Sequence, residues 1–295
     1  RNGCFRKKNC SIGGQVMARS KITEASLSTP SQFFAVGGTL TQYRSGGVTY
    51  RVHSFTDTGN HKIVFNATGA VDFLIVGGGG GSAAAEGYTG STGGGGAGGM
   101  VEGTSQTIAR GEYTIVVGTG GAKSTDINAP ASNGGDSSFN SFIGKGGAGG
   151  GDYEGGQRNG GSGAGGSEDN ELGGTSTQDT YSGTSGVTGF GNAGGSGGPY
   201  GGGGSGGSGG GGGAGGAGTN ANSATANGGV GRANSLRTGS NVTYARGGNG
   251  YAYNESSVDE AANTGNGAHG VSSTGGNNAN SGNGGSGIVV IRYAL

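Results

Sequence analysis

The chain has 295 residues, of which 82 are Gly, with no Trp and only three Pro. This composition excludes an ordinary enzyme core, and without Gly at every third position or abundant Pro it also excludes a collagen triple helix. Its 17 basic and 17 acidic residues cancel, so no electrostatic footprint points to nucleic acid or to an anionic membrane, and recognition has to use neutral polar and aromatic groups. No apolar run approaches the roughly 20 residues that span a bilayer, and no signal-peptide core precedes a small-residue cleavage site. Neither membrane insertion nor Sec export is expected.

Residues 1–32 read as an N-terminal arm. Its basic opening, RNGCFRKKNC, contains both cysteines, Cys4 and Cys10, too few for a zinc site and with no His beside them. Met17 begins MARSKITEASLS, which has the look of a natural start, so 1–16 are expected to be an upstream extension or a segment removed on maturation.

Strand-like runs follow in order. VTYRVHSFT (48–56) and HKIVFN (61–66) are divided by DTGN, a hairpin signal. VDFLIV (71–76) is apolar on both faces, as suits a strand buried between two layers. GMVEGTSQTI (99–108), EYTIVVG (112–118) and SSFNSFI (137–143) complete the front half, and GIVVIRYAL (287–295) closes the chain. A lone final strand cannot bury its faces without partners, so it must return to the front. The expected fold is mainly β with essentially no α-helix: a jelly-roll-like β-sandwich of 33–143 plus 287–295, from which 144–286 emerges as a glycine-rich insertion.

A Gly/Ser-rich stretch by default reads as a flexible linker. Here the Gly runs, at 77–81, 93–99, 144–151, 194–198 and 201–218, are broken by Asn, Ser, Thr, Asp and Tyr and interleave with the strands. About 140 residues is also far too long for a structureless loop in a compact domain. The ordered alternative is a layered bundle of polyglycine II helices, with three residues per turn, about 3.1 Å rise and no internal hydrogen bonds. Without Cβ atoms such helices approach closely enough to bond to one another sideways. Backbone ordering at about 1–2 kcal/mol per residue nearly cancels a net hydrogen bond of about 0.5–1.5 kcal/mol, so the apolar strands must clamp the bundle.

FTDTGNHKIVFNATGAVDFLIVGGGGG, GGGGAGGMVEGTSQTIARGEYTIVVGTGGA, NGGDSSFNSFIGKGGAGGG and the closing GGSGIVVIRYAL together resemble the glycine-rich modules of tailed-phage structural proteins, over about 33–151 and 284–295. The same pattern looks like the extracellular glycine-rich domain of the anaplastic lymphoma kinase family, in which a β-sandwich is combined with packed polyglycine II helices. The glycine-rich body is similar to that of T-even phage tail-fibre tip adhesins, although the β-sandwich front departs from them, and MARSKIT looks like the start of some marine cyanophage structural proteins. The resemblance implies a bacteriophage virion protein, a tail-fibre or tail-tip adhesin in an extracellular particle assembled in the host cytoplasm. Its implied partners are other virion proteins, further copies of itself (a trimer among the options) and a host surface glycan or outer-membrane protein. The alternative is a virion component that binds no receptor, in a fibre, tail accessory or capsid decoration.

Chemical motifs are weak beside this. GKGGAG (144–149) satisfies a dinucleotide-binding spacing by chance, since the residues after it cannot open a helix, and VGTGGAKST (117–125) only imitates a phosphate loop. His53, His61 and His269 are dispersed, and the pairs Glu168–Asp169 and Asp259–Glu260 lie in turn-like polar segments that read as solvated loops. A glycan-degrading enzyme would need paired carboxylates in a groove; no catalytic, cofactor or metal residues are expected. The aromatics between Gly runs are the candidate receptor contacts: Tyr88, Tyr153, Tyr181, Phe190, Tyr200, Tyr251 and Tyr253. Tyr combines a large contact area with a hydroxyl at low entropy cost, though the same residues would equally serve as caps on the ends of the bundle.

Overall fold

The computed structural model describes residues 32–85, 90–127, 129–152, 158–199, 206–221, 226–251, 256–272 and 280–295, with no helix among them. The fold is mainly β. Its strands are β1 (Ala35–Val36), β2 (Thr39–Ser45), β3 (Val48–Phe55), β4 (Gly59–Phe65), β5 (Gly69–Val76), β6 (Met100–Ile108), β7 (Gly111–Val117), β8 (Ser137–Phe139), β9 (Phe142–Gly144), β10 (Val187–Phe190), β11 (Arg232–Asn234), β12 (Val242–Tyr244) and β13 (Ile288–Ala294). A five-stranded sheet has the order β1-β4-β7-β8-β9 and a six-stranded sheet the order β10-β6-β5-β13-β3-β2, while β11 and β12 form a separate pair. Every pairing in these sheets is antiparallel.

Alternation builds the core. Ile63 and Phe65 of β4 and Ile115 and Val117 of β7 face Phe73 and Ile75 of β5 and Val289 and Ile291 of β13 across the two sheets. Phe73 meets Phe142 at 4.9 Å and Phe139 at 5.7 Å between ring centroids. The intervening residues of the six-stranded sheet, Val52, Leu74, Val76, Ile288 and Val290, are equally buried on its other side, against Ala97, Ala214, Tyr244 and Ala245. Both faces of β5 and β13 are therefore apolar because each is covered. β13 lies between β3 and β5, with Ile291 opposite both His53 and Phe73.

Several elements differ from the sequence reading. β1 and β2 stand ahead of the first foreseen strand, and 137–143 folds as a hairpin with Asn140 in the left-handed region (φ 55°). Within 144–286, β10 adds to the six-stranded sheet beside β6, and β11 and β12 pair with each other. These runs are only three or four residues long, and VTGF, RAN and VTY carry too little alternation to stand out against Gly.

The glycine segments continue directly from strand ends: 77–85 from β5, 90–99 into β6, 118–125 from β7, 145–152 from β9, 191–199 from β10 and 280–287 into β13. Segment 77–85 shows how they associate. Gly77 and Gly80 donate to Gly99 and Gly96, Gly78 and Gly81 to Gly135 and Ser132, and Gly79 and Ser82 to Gly285 and Gly282, at 2.9–3.1 Å. Every third N–H thus addresses the same neighbour. Its carbonyls accept from three other segments, through Gly147 and Gly150, Gly121 and Ser124, and Ala268. A β-strand addresses its neighbours with a period of two; this segment addresses its neighbours with a period of three. Segment 90–99 follows the same rule: Thr92, Gly95 and Gly98 donate to Val271, Ala268 and Gly265, and Gly94 and Ala97 to Gly209 and Gly212.

This close approach is what demands Gly. A Cβ on Gly80 would collide with the carbonyl oxygen of Ala148, and one on Gly209 with that of Gly195. Phe33–Leu295 forms one compact unit.

Candidate functional site

Hydrogen-bond partners give the direction of each glycine segment. Passing from Gly99 to Gly94 leads away from the sandwich, because Gly99 adjoins Met100 of β6. Ser162 and Gly165 donate to Ala97 and Gly94, so 162–167 climbs; Gly94 and Ala97 donate to Gly209 and Gly212, so 206–214 descends. Followed in this way, residues 85, 90, 152, 158, 199, 206, 221, 226, 251, 256, 272 and 280 and the turn at 167–170 all lie far from the sandwich. These segment ends lie side by side. Ser91 pairs with Ser272, and Ala226 with Gly250. Glu168 N donates to Ser91 O, Asn170 N to Gly198 O, Ser208 N to Tyr251 O and Ser257 N to Asn280 O. Ser167 Oγ donates to Asp152 O at 2.9 Å.

The opposite end of the molecule holds both ends of the compact unit. Phe33 stacks on Phe65 and sets its ring at 4.9 Å, edge-on, against Tyr293 near the end of β13. Ala35 N donates to the Tyr293 hydroxyl at 2.9 Å.

Of the candidate contact residues, Tyr88, Tyr153, Tyr200 and Tyr253 lie outside the described residues. Tyr181 sits at the margin of the sandwich, against Phe142, with its hydroxyl accepting from Ile143 N at 2.8 Å. Phe190 belongs to β10, packs against the outer apolar cluster and carries the Arg232 guanidinium 3.8 Å above its ring. Tyr251 is at the far end. The structure therefore separates three residues that look alike in sequence, because a residue between two Gly runs can fall at either end of a segment.

Tyr251 belongs to a polar network that crosses three segments. Its ring stacks on His269, and its hydroxyl lies 3.1 Å from Nδ1, which also accepts from Asn249 N at 3.4 Å. With Nδ1 accepting, the proton resides on Nε2, which faces Glu260 Oε1 at 3.3 Å. Arg246 approaches the same carboxylate oxygen at 3.8 Å, and Asn266 donates to its partner oxygen at 3.1 Å. Burial works against ionisation of Glu260, but His269, Asn266 and Arg246 outweigh it and hold the carboxyl below its usual range.

A second carboxyl, Glu168, is fully enclosed beside Ser91 and Gly206; one of its oxygens lies 3.4 Å from Ser91 Oγ and the other has no hydrogen-bond partner among the described residues. Burial raises its pKa, opposed by Ser91 and helped by the charge of Asp169. Burial likewise brings the nearby Glu171 up to about 7, opposed by a hydrogen bond from the Ser167 backbone and helped by Asp152 and Asp169. The expectation that Glu168 and Glu260 are solvated loop residues is thus corrected. Glu168 is enclosed by segments remote in sequence, and Glu260 by groups 6 to 14 residues away on neighbouring segments; no local pattern announces either. Among the described residues no group of three or more His, Cys, Asp or Glu could hold a metal ion, and no helix is long and apolar enough to cross a membrane.

An antiparallel β-sandwich continued at one end by laterally bonded glycine segments defines a class of glycine-rich β domain. The chain belongs to the glycine-rich domain family, whose model matches residues 56–294. No curated protein matches it.

Proposed function

We propose that this chain is a bacteriophage virion protein, carried on a tail fibre or tail tip, that recognises the host cell surface with the far end of its glycine bundle. One observation carries the reading: Phe33 and Tyr293 meet at the outer end of the sandwich, while the far ends of the glycine segments gather at the opposite end. Attachment through one end leaves the other fully displayed, which is the arrangement an adhesin requires. The segments are read as polyglycine II helices, whose lateral bonding makes the bundle a rigid support for the displayed end, and a rigid support lowers the entropy lost on binding. The resemblance to tailed-phage glycine-rich modules supports the placement in a virion. The occupant is then a surface glycan or an outer-membrane protein, contacted by neutral polar, Tyr and exposed apolar groups.

Leu172 and Val258, which flank the far end and are 66% and 73% exposed, provide the test. A double Leu172→Asp, Val258→Asp variant is expected to keep its melting temperature and to slow adsorption of particles to the host. Unchanged adsorption would leave the non-binding virion component as the reading. A reconstruction of the particle with this chain's glycine bundle turned inward would exclude both the display and the adhesin role.

A further inference from the structure

The two large sheets have four edges, and three are closed from within the chain. At β1, Ala35 N donates to the Tyr293 hydroxyl at 2.9 Å. At β9, Ile143 N donates to the Tyr181 hydroxyl at 2.8 Å, and Ile143 O accepts from Gln178 Nε2 at 3.1 Å. At β10, Gly189 N donates to Thr180 O at 3.1 Å. The fourth edge is β2, and among the described residues it is open. It joins β3 through Gly46 (φ 58°) and Gly47 (φ 84°), with Ser45 opposite Val48, the dihedral pattern of a two-residue type I′ hairpin. In such a hairpin the residues flanking the turn form a hydrogen-bonded pair, and alternate residues point their backbone groups outward. Ser45, Tyr43, Thr41 and Thr39 therefore bond to β3. Leu40, Gln42 and Arg44 turn N–H and C=O to the outside, where no partner among the described residues meets them. The strand has no Pro and no bulge, and Arg44 is its only charge; these are the features that usually protect a sheet edge, and all but one are missing.

The register of this edge is complementary to itself. Two antiparallel copies centred on Gln42 set Gln42 against Gln42, Leu40 against Arg44 and Arg44 against Leu40. The outward-facing residues of one strand thus meet only outward-facing residues of the other, each such pair able to exchange two N–H···O bonds, and no like charges are opposed. The side chain of Leu40 on this edge is 52% exposed. We propose that β2 is a homodimerisation edge, which joins the six-stranded sheets of two copies into one continuous sheet about a two-fold axis at Gln42. Because β2 runs antiparallel to its copy, the two glycine bundles point in opposite directions, and the dimer bridges two surfaces instead of presenting both tips to one. The inference does not depend on the adhesin reading, since its readout is association of the purified chain and not adsorption.

Sedimentation velocity of the full chain over a wide concentration range, with three variants, decides it. Gln42→Pro removes an N–H that serves no bond within the chain, and Pro is tolerated at an outward edge position; it is expected to be monomeric with the melting temperature of the parent. Leu40→Glu places a carboxylate opposite Arg44 at both ends of the pairing and should tighten the dimer, whereas Leu40→Lys should weaken it, each by roughly 2- to 30-fold for two cross-strand pairs. Salt should shrink both effects. A parent chain that is monomeric throughout overturns the proposal, as does a dimer indifferent to Gln42→Pro or to the sign of the charge at position 40. Should Gln42→Pro fail to fold, the opposed Leu40 variants, which alter only an exposed side chain, still decide.

Discussion

A single methyl group separates two kinds of glycine in this chain. At Gly80 a Cβ would strike the backbone of Ala148, and neither segment can move without breaking its bonds to the others; at Gly183 a Cβ meets nothing within 4 Å. Gly80→Ala should cost about 3 kcal/mol, at the upper end of overpacking penalties, and Gly183→Ala should stay within about 0.5 kcal/mol of the parent. Urea unfolding of the two variants checks both values. The carboxyls at the far end make the second prediction at this scale. Glu171, raised to about 7, binds its proton more tightly folded than unfolded. Its contribution is fully present below the ordinary carboxyl range and is lost as pH rises through 7. Melting temperature should therefore fall between pH 5 and pH 8.5, and Glu171→Gln should remove that part of the fall; an unaltered pH profile in the variant would refute the assignment. Sequence located neither the raised carboxyl nor the Glu260 network, because Glu171 comes near Asp152, and Glu260 near Arg246 and His269, only after neighbouring glycine segments have packed side by side.

At the scale of elements, the glycine segments depend on the strands they continue. Their lateral bonds roughly offset the entropy of ordering Gly, so the surplus comes from clusters such as Phe73, Phe139 and Ile291. Amide exchange should show this coupling. The N–H groups of Gly79, Gly80, Gly95 and Gly211, each bonded to another segment, should exchange at least about a thousandfold more slowly than in an unstructured peptide. Deletion of Ile288–Ala294, the strand shared by β3 and β5, should abolish protection in strands and glycine segments alike. Protection that survived in the segments alone would show the bundle to be independent of the sandwich. The long strands β3 to β7 and β13 were legible from alternation and turn residues. β10, β11 and β12 were not, for a run of three or four residues carries no period, and its pairing is fixed by what the surrounding segments bring beside it.

For the whole molecule, the sequence by itself determined the class of architecture: too much Gly and too little apolar surface for an ordinary core, enough alternating strand for a sandwich, and a match to the glycine-rich domain family over 56–294. It also marked Tyr181, Phe190 and Tyr251 as a set without distinguishing them. Tertiary structure alone gave Tyr181 to a sheet edge, Phe190 to the outer cluster and Tyr251 to the far end. Among the described residues it alone left the outer edge of β2 without a partner while closing the other edges, and it set Phe33 and Tyr293 opposite the far ends of the glycine segments. The physical reason is the same in each case. Composition and period report what a backbone can do with its nearest neighbours in sequence, whereas a glycine segment bonds its N–H and C=O groups to other segments. Which segments those are, and hence which end of each one faces solvent, is settled only when the whole bundle has assembled.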